Sequence, residues 1–175
     1  VRNFAETPGA VLAGVCDLRP HVLEKVTERF PGVYVPTNYD ELLARDDIDA
    51  VALATPVSTH APLALKAIHA GKHVLVEKPM TEKTEQAAEL VQLAQAKNLV
   101  LQVGHVERFN PVFNYLQTAA PQPKFIECHR LSPFPARSTD IGVVLDLMIH
   151  DLDVVLAFVN SPVTSVDAVG IPVLS

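Results

Sequence analysis

The feature that most constrains the fold is a regular alternation of short apolar runs with longer helical patterns. The apolar runs cover residues 10–17, 48–56, 72–79 and 99–105, and a short edge strand is predicted at residues 33–38. Helical patterns cover residues 21–30, 39–47, 59–71 and 81–98. Strands and helices that alternate in this way are βαβ units, so the sequence predicts an α/β fold with a doubly wound parallel sheet.

The pattern changes after residue 105. A short helix and a proline-marked link are predicted in "ERFNPVFNYLQTAAPQPK", a strand in "FIECHRLSPF" and a long helix in "IGVVLDLMIHDLDVVLAFV". Residues 163–175 alternate like a strand of a mostly antiparallel sheet. We therefore expect two domains, residues 1–105 and 106–175. Because the chain starts without Met and stops within a predicted strand, we expect it to be part of a longer protein.

Composition excludes several classes of protein. A hydrophobic content of 49% excludes a disordered chain, and a net charge of −6 without a basic cluster argues against nucleic-acid binding. Cys16 and Cys128 are far apart and outside a CxxC spacing, so neither a disulfide framework nor a metal site is predicted. The most apolar long segment, residues 141–159, contains ionisable side chains and is too polar for a membrane span. With no signal peptide at its start, we expect a cytoplasmic protein with a small-molecule partner.

Ligands of open α/β sheets bind beyond the carboxyl ends of the strands, so residues just past each predicted strand are candidate site residues. Asp17 follows the first apolar run. An acid in this position of a dinucleotide fold accepts hydrogen bonds from the ribose hydroxyls and repels a 2′-phosphate, which favours NAD. Arg19 could soften this preference by pairing with a phosphate. The alternative is that Asp17 only caps the following helix.

The other candidates follow the next strands. In "ATPVSTH", residues 54–60, a hydroxyl and backbone amides could line a cofactor, although a simple loop is an equal alternative. Lys78 precedes a proline that restricts its backbone, so it is held in place unless it is a solvated lysine paired with Glu77. The glycine-rich turn that precedes the acid by about twenty residues in dinucleotide folds is not in the chain.

Asp146 and His150 are four residues apart, which places them on one face of the predicted long helix. A carboxylate one turn away can orient an imidazole that acts in general acid–base catalysis. A core histidine is the alternative.

These motifs together resemble a known family. "VLVEKPMT" after "ATPVSTH", with "DLMIHDLD" further on, is similar to the Gfo/Idh/MocA family of nicotinamide-dependent sugar and polyol dehydrogenases. The resemblance covers essentially the whole chain, from what would be the family's second strand. It implies a Rossmann-type domain over residues 1–105, then the start of an α/β substrate domain with an open, mostly antiparallel sheet. That sheet often forms the interface of a homo-oligomer, a dimer or a tetramer, and the implied cofactor is NAD, with NADP possible.

The resemblance also implies roles for matching residues. Lys78 would be the catalytic lysine of the EKP motif, and Asp146 and His150 the catalytic acid and histidine of D-x-x-x-H. Which of Lys78 and His150 is the base stays open. The predicted cofactor-binding residues are Asp17, Arg19, Thr55, Pro56, His60, Glu77, Lys78 and His105. Because X-Pro bonds adopt the cis form at low cost and the family suggests a tight turn, Lys78–Pro79 is a candidate cis peptide.

More narrowly, "GHVERFNP" and "RSTDIGVVLDLMIHDLDVVL" resemble the branch that acts on UDP-N-acetylglucosamine at the sugar's 3-position, the step before amination for amide-linked lipid A. The predicted substrate-binding residues are Arg108, Asn110 and Arg137, with Glu107, Arg130, Ser138 and Thr139 nearby in sequence. Arg130 and Arg137, which precede the predicted catalytic helix, could pair with a diphosphate, because an arginine fork suits that group; surface ion pairs or subunit contacts are the alternative. Alternative functions are oxidation of a free sugar or a polyol such as inositol, a dehydratase-like or aldehyde-reducing activity, and a non-catalytic NAD-binding regulator.

Overall fold

A parallel three-stranded sheet organises the first part of the chain. In the computed structural model, which describes residues 1–131, 141–159 and 161–172, the sheet has the order β1-β2-β3. Its strands are β1 (Ala50–Leu53), β2 (His73–Val76) and β3 (Leu101–Val103). The register places Leu53 beside Val76 and Val76 beside Val103. The carboxyl ends of all three strands therefore meet at one edge.

The chain divides into two compact units, Val1–Gly104 and His105–Ser175. The helices of the first unit are α1 (Arg2–Glu6), α2 (Pro20–Arg29), α3 (Tyr39–Leu43), α4 (His60–His69) and α5 (Thr84–Ala96), with a 3₁₀ turn at Val57–Thr59. None of the described helices is long and apolar enough to cross a membrane.

Helices α4 and α5 cover the sheet because their small and aliphatic residues face it. Ala64, Ala67 and Ile68 of α4 and Leu90 of α5 are each 0% exposed, and they join a core that includes Val76 of the central strand. The small alanines allow α4 to approach the sheet closely. The predicted helical patterns at residues 59–71 and 81–98 therefore form helices as expected, with shorter ends.

Both covering helices end in the same type of cap. After α4, Gly71 has a φ of 77°, and the Lys72 amide donates to the Ala67 carbonyl at 3.0 Å. After α5, Asn98 has a φ of 55°, and the Leu99 amide donates to the Ala94 carbonyl at 2.9 Å. Each left-handed residue closes a Schellman turn and directs the chain into the next strand.

The predicted strands at residues 10–17 and 33–38 are wrong in extent. They form an isolated parallel bridge between Gly14 and Tyr34, with Val15 donating to the Tyr34 carbonyl at 2.8 Å. In this register the next bond would run from the amide of residue 36 to the carbonyl of Val15. Residue 36 is proline, which has no amide hydrogen, so the ladder cannot extend in that direction.

The second unit is helical in its described part. It contains a 3₁₀ turn at Val106–Phe109, helix α6 (Pro111–Ala119), a π-helical turn at Val144–Met148 and helix α7 (Ile149–Phe158). Phe113 of α6 is 7% exposed and packs edge-on against Phe158 of α7, with ring centroids 5.1 Å apart.

The antiparallel sheet predicted for this unit is not found among its described residues. No strand is assigned at residues 125–131 or 163–172, the described parts of the two predicted strands. An alternating pattern forms a strand only beside a hydrogen-bonded neighbour, and the described backbone of this unit offers none. The predicted long helix at 141–159 is present, but begins as a π turn at Val144.

Candidate functional site

Backbone pairing continues one residue beyond the strands at the carboxyl edge of the sheet. The Glu77 amide donates to the Leu53 carbonyl at 2.9 Å, and the Gly104 amide donates to the Val76 carbonyl at 2.8 Å. These bonds fix the first residue of each loop relative to the neighbouring strand. The loop that carries Lys78 and the segment that follows β3 therefore start from defined positions.

The carboxylate of Glu77 lies against Gly104. A Cβ built on Gly104 would stand 2.9 Å from Oε2 and 3.0 Å from Cδ of Glu77, so any larger residue there would displace the carboxylate. The Lys78 amide also donates to Glu77 Oε2, at 3.3 Å. Sequence analysis selected Glu77 but missed Gly104, although a glycine directly after an apolar strand is a signal of close approach.

Lys78 lies between this carboxylate and a buried proline. The Lys78–Pro79 peptide is cis, which confirms the prediction. Pro79 is buried and Lys78 is half-buried. The proline restricts the backbone of Lys78, which limits the positions that the lysine side chain can reach.

His60 is turned inward, at the start of α4. The side chain is buried, with 2% of its surface exposed. Its Nδ1 lies 2.8 Å from the Pro79 carbonyl oxygen, and its Nε2 lies 2.9 Å from the Thr55 carbonyl oxygen. The ring therefore joins the loop after β1 to the loop after β2.

Thr55 and Pro56, also predicted to line the cofactor, are exposed in the loop after β1. The Thr59 hydroxyl lies 2.7 Å from the Thr55 hydroxyl and 2.7 Å from the Pro56 carbonyl oxygen. This local network orders the loop while Thr55 stays accessible.

Asp17 and Arg19 form a bidentate ion pair. Arg19 Nε and Nη2 donate to the two carboxylate oxygens at 2.9 and 3.0 Å, and the Arg19 amide donates to Oδ1 at 2.9 Å. These hydrogen bonds hold the pKa of the Asp17 carboxyl at about 2. The alternative in which Asp17 caps the helix is not what forms, because the N-cap position of α2 is Arg19.

Asp146 and His150 belong to the second unit and are both half-buried. Asp146 lies in the π turn and His150 in the first turn of α7. The Ile149 amide reaches the Val144 carbonyl, the five-residue span of a π turn. A four-residue step is slightly more than one α turn and less than one π turn, so the two side chains share a face as predicted.

Arg108, which was predicted to bind substrate, and Arg130, which was predicted with Arg137 to pair with a diphosphate, are both paired with aspartates of α7. Arg108 Nε and Nη2 donate to Asp153 at 2.7 and 2.8 Å, and the same atoms of Arg130 donate to Asp151 at 2.8 Å each. Arg130 lowers the pKa of the Asp151 carboxyl. His105 Nδ1 lies 3.9 Å from Asp153 Oδ2. The ion-pair alternative raised from the sequence is thus present for Arg130, and Arg108 forms a pair of the same kind.

Asn110 has a local structural role. Its Oδ1 accepts a hydrogen bond from the Val112 amide at 3.0 Å, which makes it the N-cap of α6. The remaining predicted substrate residue, Arg137, lies outside the described residues, as do Ser138 and Thr139.

The chemistry of the first unit fits a nicotinamide dinucleotide. Asp17 offers a carboxylate that is ionised at neutral pH, Thr55 an exposed hydroxyl, and Glu77 an exposed carboxylate held over the strand ends. Hydroxyl and carboxylate acceptors suit ribose and carboxamide groups. Among the residues that the structure describes, no cluster of three or more His, Cys, Asp or Glu side chains is placed to hold a metal.

The Arg19→Ala variant should raise the pKa of Asp17 from about 2 towards the ordinary aspartate value of 3.8. The side-chain hydrogen bonds that favour the ionised form of Asp17 are lost, whereas the hydrogen bond from the backbone amide of residue 19 remains. Since the folded-state pKa is lowered, the stabilisation from this pair is present above the ordinary value and lost as the pH falls towards 2. Carboxyl ¹³C NMR titration measures the shift. Arg45→Ala is the matched control: it removes the bidentate partner of Asp47 and should leave the Asp17 titration unchanged. An unaltered Asp17 titration in Arg19→Ala would contradict the assignment.

Known proteins resemble the chain in both sequence and structure. UDP-N-acetylglucosamine 3-dehydrogenase from Acidithiobacillus ferrooxidans is 43% identical over 166 residues, which cover 91% of this chain and 50% of the relative. A solved structure of that enzyme superposes with a TM-score of 0.89 at 39% identity and covers 99% of this chain and 56% of its own. Inositol 2-dehydrogenase 4 from Saccharopolyspora erythraea is 32% identical, over 90% of this chain and 49% of the relative. The chain spans about half the length of the curated relatives it matches.

The family is established by a match that covers more than half of the chain. The model of an oxidoreductase family with an NAD-binding Rossmann fold, Gfo/Idh/MocA, matches residues 1–105. The Rossmann-type fold with a parallel sheet predicted from the sequence is thereby confirmed, as is the suspected family. The chain belongs to the Gfo/Idh/MocA family of NAD-binding oxidoreductases.

Proposed function

We propose that the chain is the cofactor-binding part, with the start of the substrate-binding part, of an NAD-dependent dehydrogenase that oxidises C3 of UDP-N-acetylglucosamine. The observation that carries this proposal is the 43% identity to UDP-N-acetylglucosamine 3-dehydrogenase over 166 residues. That likeness spans both units and exceeds the 32% identity to an inositol 2-dehydrogenase. Residues 1–105 act as the dinucleotide-binding domain, and residues 106–175 begin the substrate and oligomerisation domain of a cytoplasmic homo-oligomer.

The cofactor is held by residues of the first unit that follow its apolar runs at their carboxyl ends. Asp17 accepts hydrogen bonds from the adenosine ribose, and Thr55, Pro56 and Glu77 line the rest of the site. When bound, NAD supplies the carbon that accepts the hydride released from the sugar. Asp17 favours NAD over NADP because its charge repels a 2′-phosphate.

Three side chains perform the acid–base work. His150 accepts the proton of the sugar hydroxyl as its carbon is oxidised, and Asp146, one turn earlier, orients the imidazole. Lys78 stabilises the negative charge that develops on the oxygen, because an ammonium group held in a loop needs little reorganisation. The buried Pro79 supports this role, since a proline restricts the backbone of the residue that precedes it.

The diphosphate of the nucleotide sugar is contacted by Arg108 and Arg130. Each arginine uses Nε and Nη2 for its aspartate, which leaves Nη1 outside the pair. A phosphate oxygen can bind at Nη1 without breaking the ion pair.

A free sugar or polyol is the second candidate substrate. It is favoured by the same ion pairs, because Asp153 and Asp151 already neutralise both arginines and reduce their attraction for a diphosphate.

UDP-N-acetylglucosamine should be oxidised in preference to free N-acetylglucosamine and myo-inositol. We expect NADH formation at 340 nm with the UDP-sugar, together with a product two mass units lighter in which C3 carries a ketone. The full chain is used, with any residues that precede or follow these 175 in its gene. Faster oxidation of inositol or the free sugar would refute the nucleotide-sugar substrate and leave the dehydrogenase in place.

The variants Lys78→Ala and His150→Ala should each lower kcat by about a hundredfold or more, the usual scale for a lost acid–base group. Circular dichroism checks that the fold is retained. Lys25→Ala, on the exposed surface of α2, is the control and should keep normal kcat. Near-normal turnover of either site variant would remove that residue from the mechanism.

NADH should bind more tightly than NADPH. Replacement of Asp17 by Asn should reduce this preference by about tenfold or more, because a charge-assisted hydrogen bond and a phosphate-repelling charge are lost. Arg19→Ala should strengthen the preference, since the cation that could pair with the 2′-phosphate is removed. Fluorescence titration gives the four dissociation constants needed for each comparison. A wild-type preference for NADPH would make Arg19 the dominant residue instead.

A further inference from the structure

His60 lies between the loop after β1 and the loop after β2, the two loops of the first unit that carry Thr55 and Lys78. Its ring is 2% exposed, too buried to contact a bound molecule directly. Both ring nitrogens face backbone carbonyl oxygens, those of Pro79 at 2.8 Å and Thr55 at 2.9 Å. The two carbonyls belong to the loops after β2 and β1. The strand pairing of β1 with β2 ends at the hydrogen bond from the Glu77 amide to the Leu53 carbonyl, before either of these carbonyls.

The two contacts require the same property of the two ring nitrogens. A carbonyl oxygen only accepts hydrogen bonds, so each ring nitrogen must donate to make a favourable contact. Both bonds form together when both nitrogens carry a proton.

We propose that His60 is the positioning residue of the site, and that it fixes Lys78 and the Thr55 loop by two separate hydrogen bonds. The Nδ1 bond holds the Pro79 carbonyl, one residue past Lys78, and so sets the position of the lysine. The Nε2 bond holds the Thr55 carbonyl and so sets the loop that lines the cofactor. This inference rests on the proposed roles of Lys78 and Thr55 and assigns His60 a role other than direct cofactor contact.

Substitution of His60 by Asn or by Gln tests the two hydrogen bonds separately. The amide nitrogen of Asn is attached to Cγ, like Nδ1 of His, so His60→Asn can keep the Pro79 bond and loses the Thr55 bond. The amide nitrogen of Gln lies one atom further out, like Nε2, so His60→Gln can keep the Thr55 bond and loses the Pro79 bond. If His60 only filled space, His60→Asn and His60→Gln would not have opposite effects on the two loops.

The experiment measures the NADH dissociation constant by fluorescence and kcat with the sugar that the wild-type protein oxidises fastest, in the full chain. His60→Asn should weaken NADH binding by about five- to tenfold, the scale of one lost hydrogen bond, and change kcat by less than about threefold. His60→Gln should lower kcat by about five- to tenfold and change NADH binding by less than about threefold. His60→Phe should both weaken NADH binding and lower kcat. His69→Asn and His69→Gln, at the exposed far end of α4, are matched controls that should alter neither constant.

Equal effects of Asn and Gln on both constants, or no effect of either, would overturn the proposal. Thermal unfolding identifies any variant that fails to fold, and the Asn and Gln comparison decides the outcome even if His60→Phe does not fold. NADH binding needs no sugar. If the wild-type protein oxidises no candidate sugar, the proposed function fails, while equal NADH affinities of the Asn and Gln variants would separately refute the positioning role.

Discussion

The register of the parallel sheet is the constraint on which the candidate site depends. Leu53, Val76 and Val103 end their strands side by side, so the residues that follow them emerge at one edge. A slip of one residue would move every side chain of β2 to the opposite face and bury Glu77 in place of Val76. The fully buried Val74 and Val76 oppose such a slip, because it would move both from the buried face to a face that is only half-buried. The hydrophobic core thus sets the position of the polar loops.

Charged groups near the proposed ligand sites are neutralised by partners close in space. Arg19 pairs with Asp17, and Arg108 pairs with Asp153, in each case through two hydrogen bonds. The Arg19 side chain is 66% exposed, and an exposed pair of this kind contributes little to stability because solvent screens it. Asp153 is only 11% exposed, so separating it from Arg108 leaves a poorly solvated carboxylate and costs more. A ligand can therefore rearrange Arg19 more readily than Arg108.

The sequence predicted the elements that depend on local pattern and failed where pairing depends on a distant residue. The apolar runs before Leu53, Val76 and Val103 became strands because each has a neighbour in the sheet. Residues 10–17 have a similar pattern, yet Pro36 removes the amide that would extend their ladder. The same limit applies to residues 125–131 and 163–172, whose described backbone has no strand partner. Candidate site residues were found by their place after strands, whereas the inward orientation of His60 and the contact of Gly104 with Glu77 depend on the folded loops.

In the described part of the second unit, segments are connected to α7 by ion pairs and not by the hydrogen bonds of a sheet. Arg108 lies in the turn at Val106–Phe109, Arg130 lies in an irregular segment, and both reach aspartates of α7. The guanidinium of Arg108 also lies over the ring of Phe113, 5.9 Å from its centroid, which links α6 to the same contact. Asp153 is three residues after His150 and so lies on the same side of α7. Arg108 therefore compensates the charge of a carboxylate on the same side of α7 as the proposed catalytic histidine, and its loss would change the charge on that side as well as the packing of the turn.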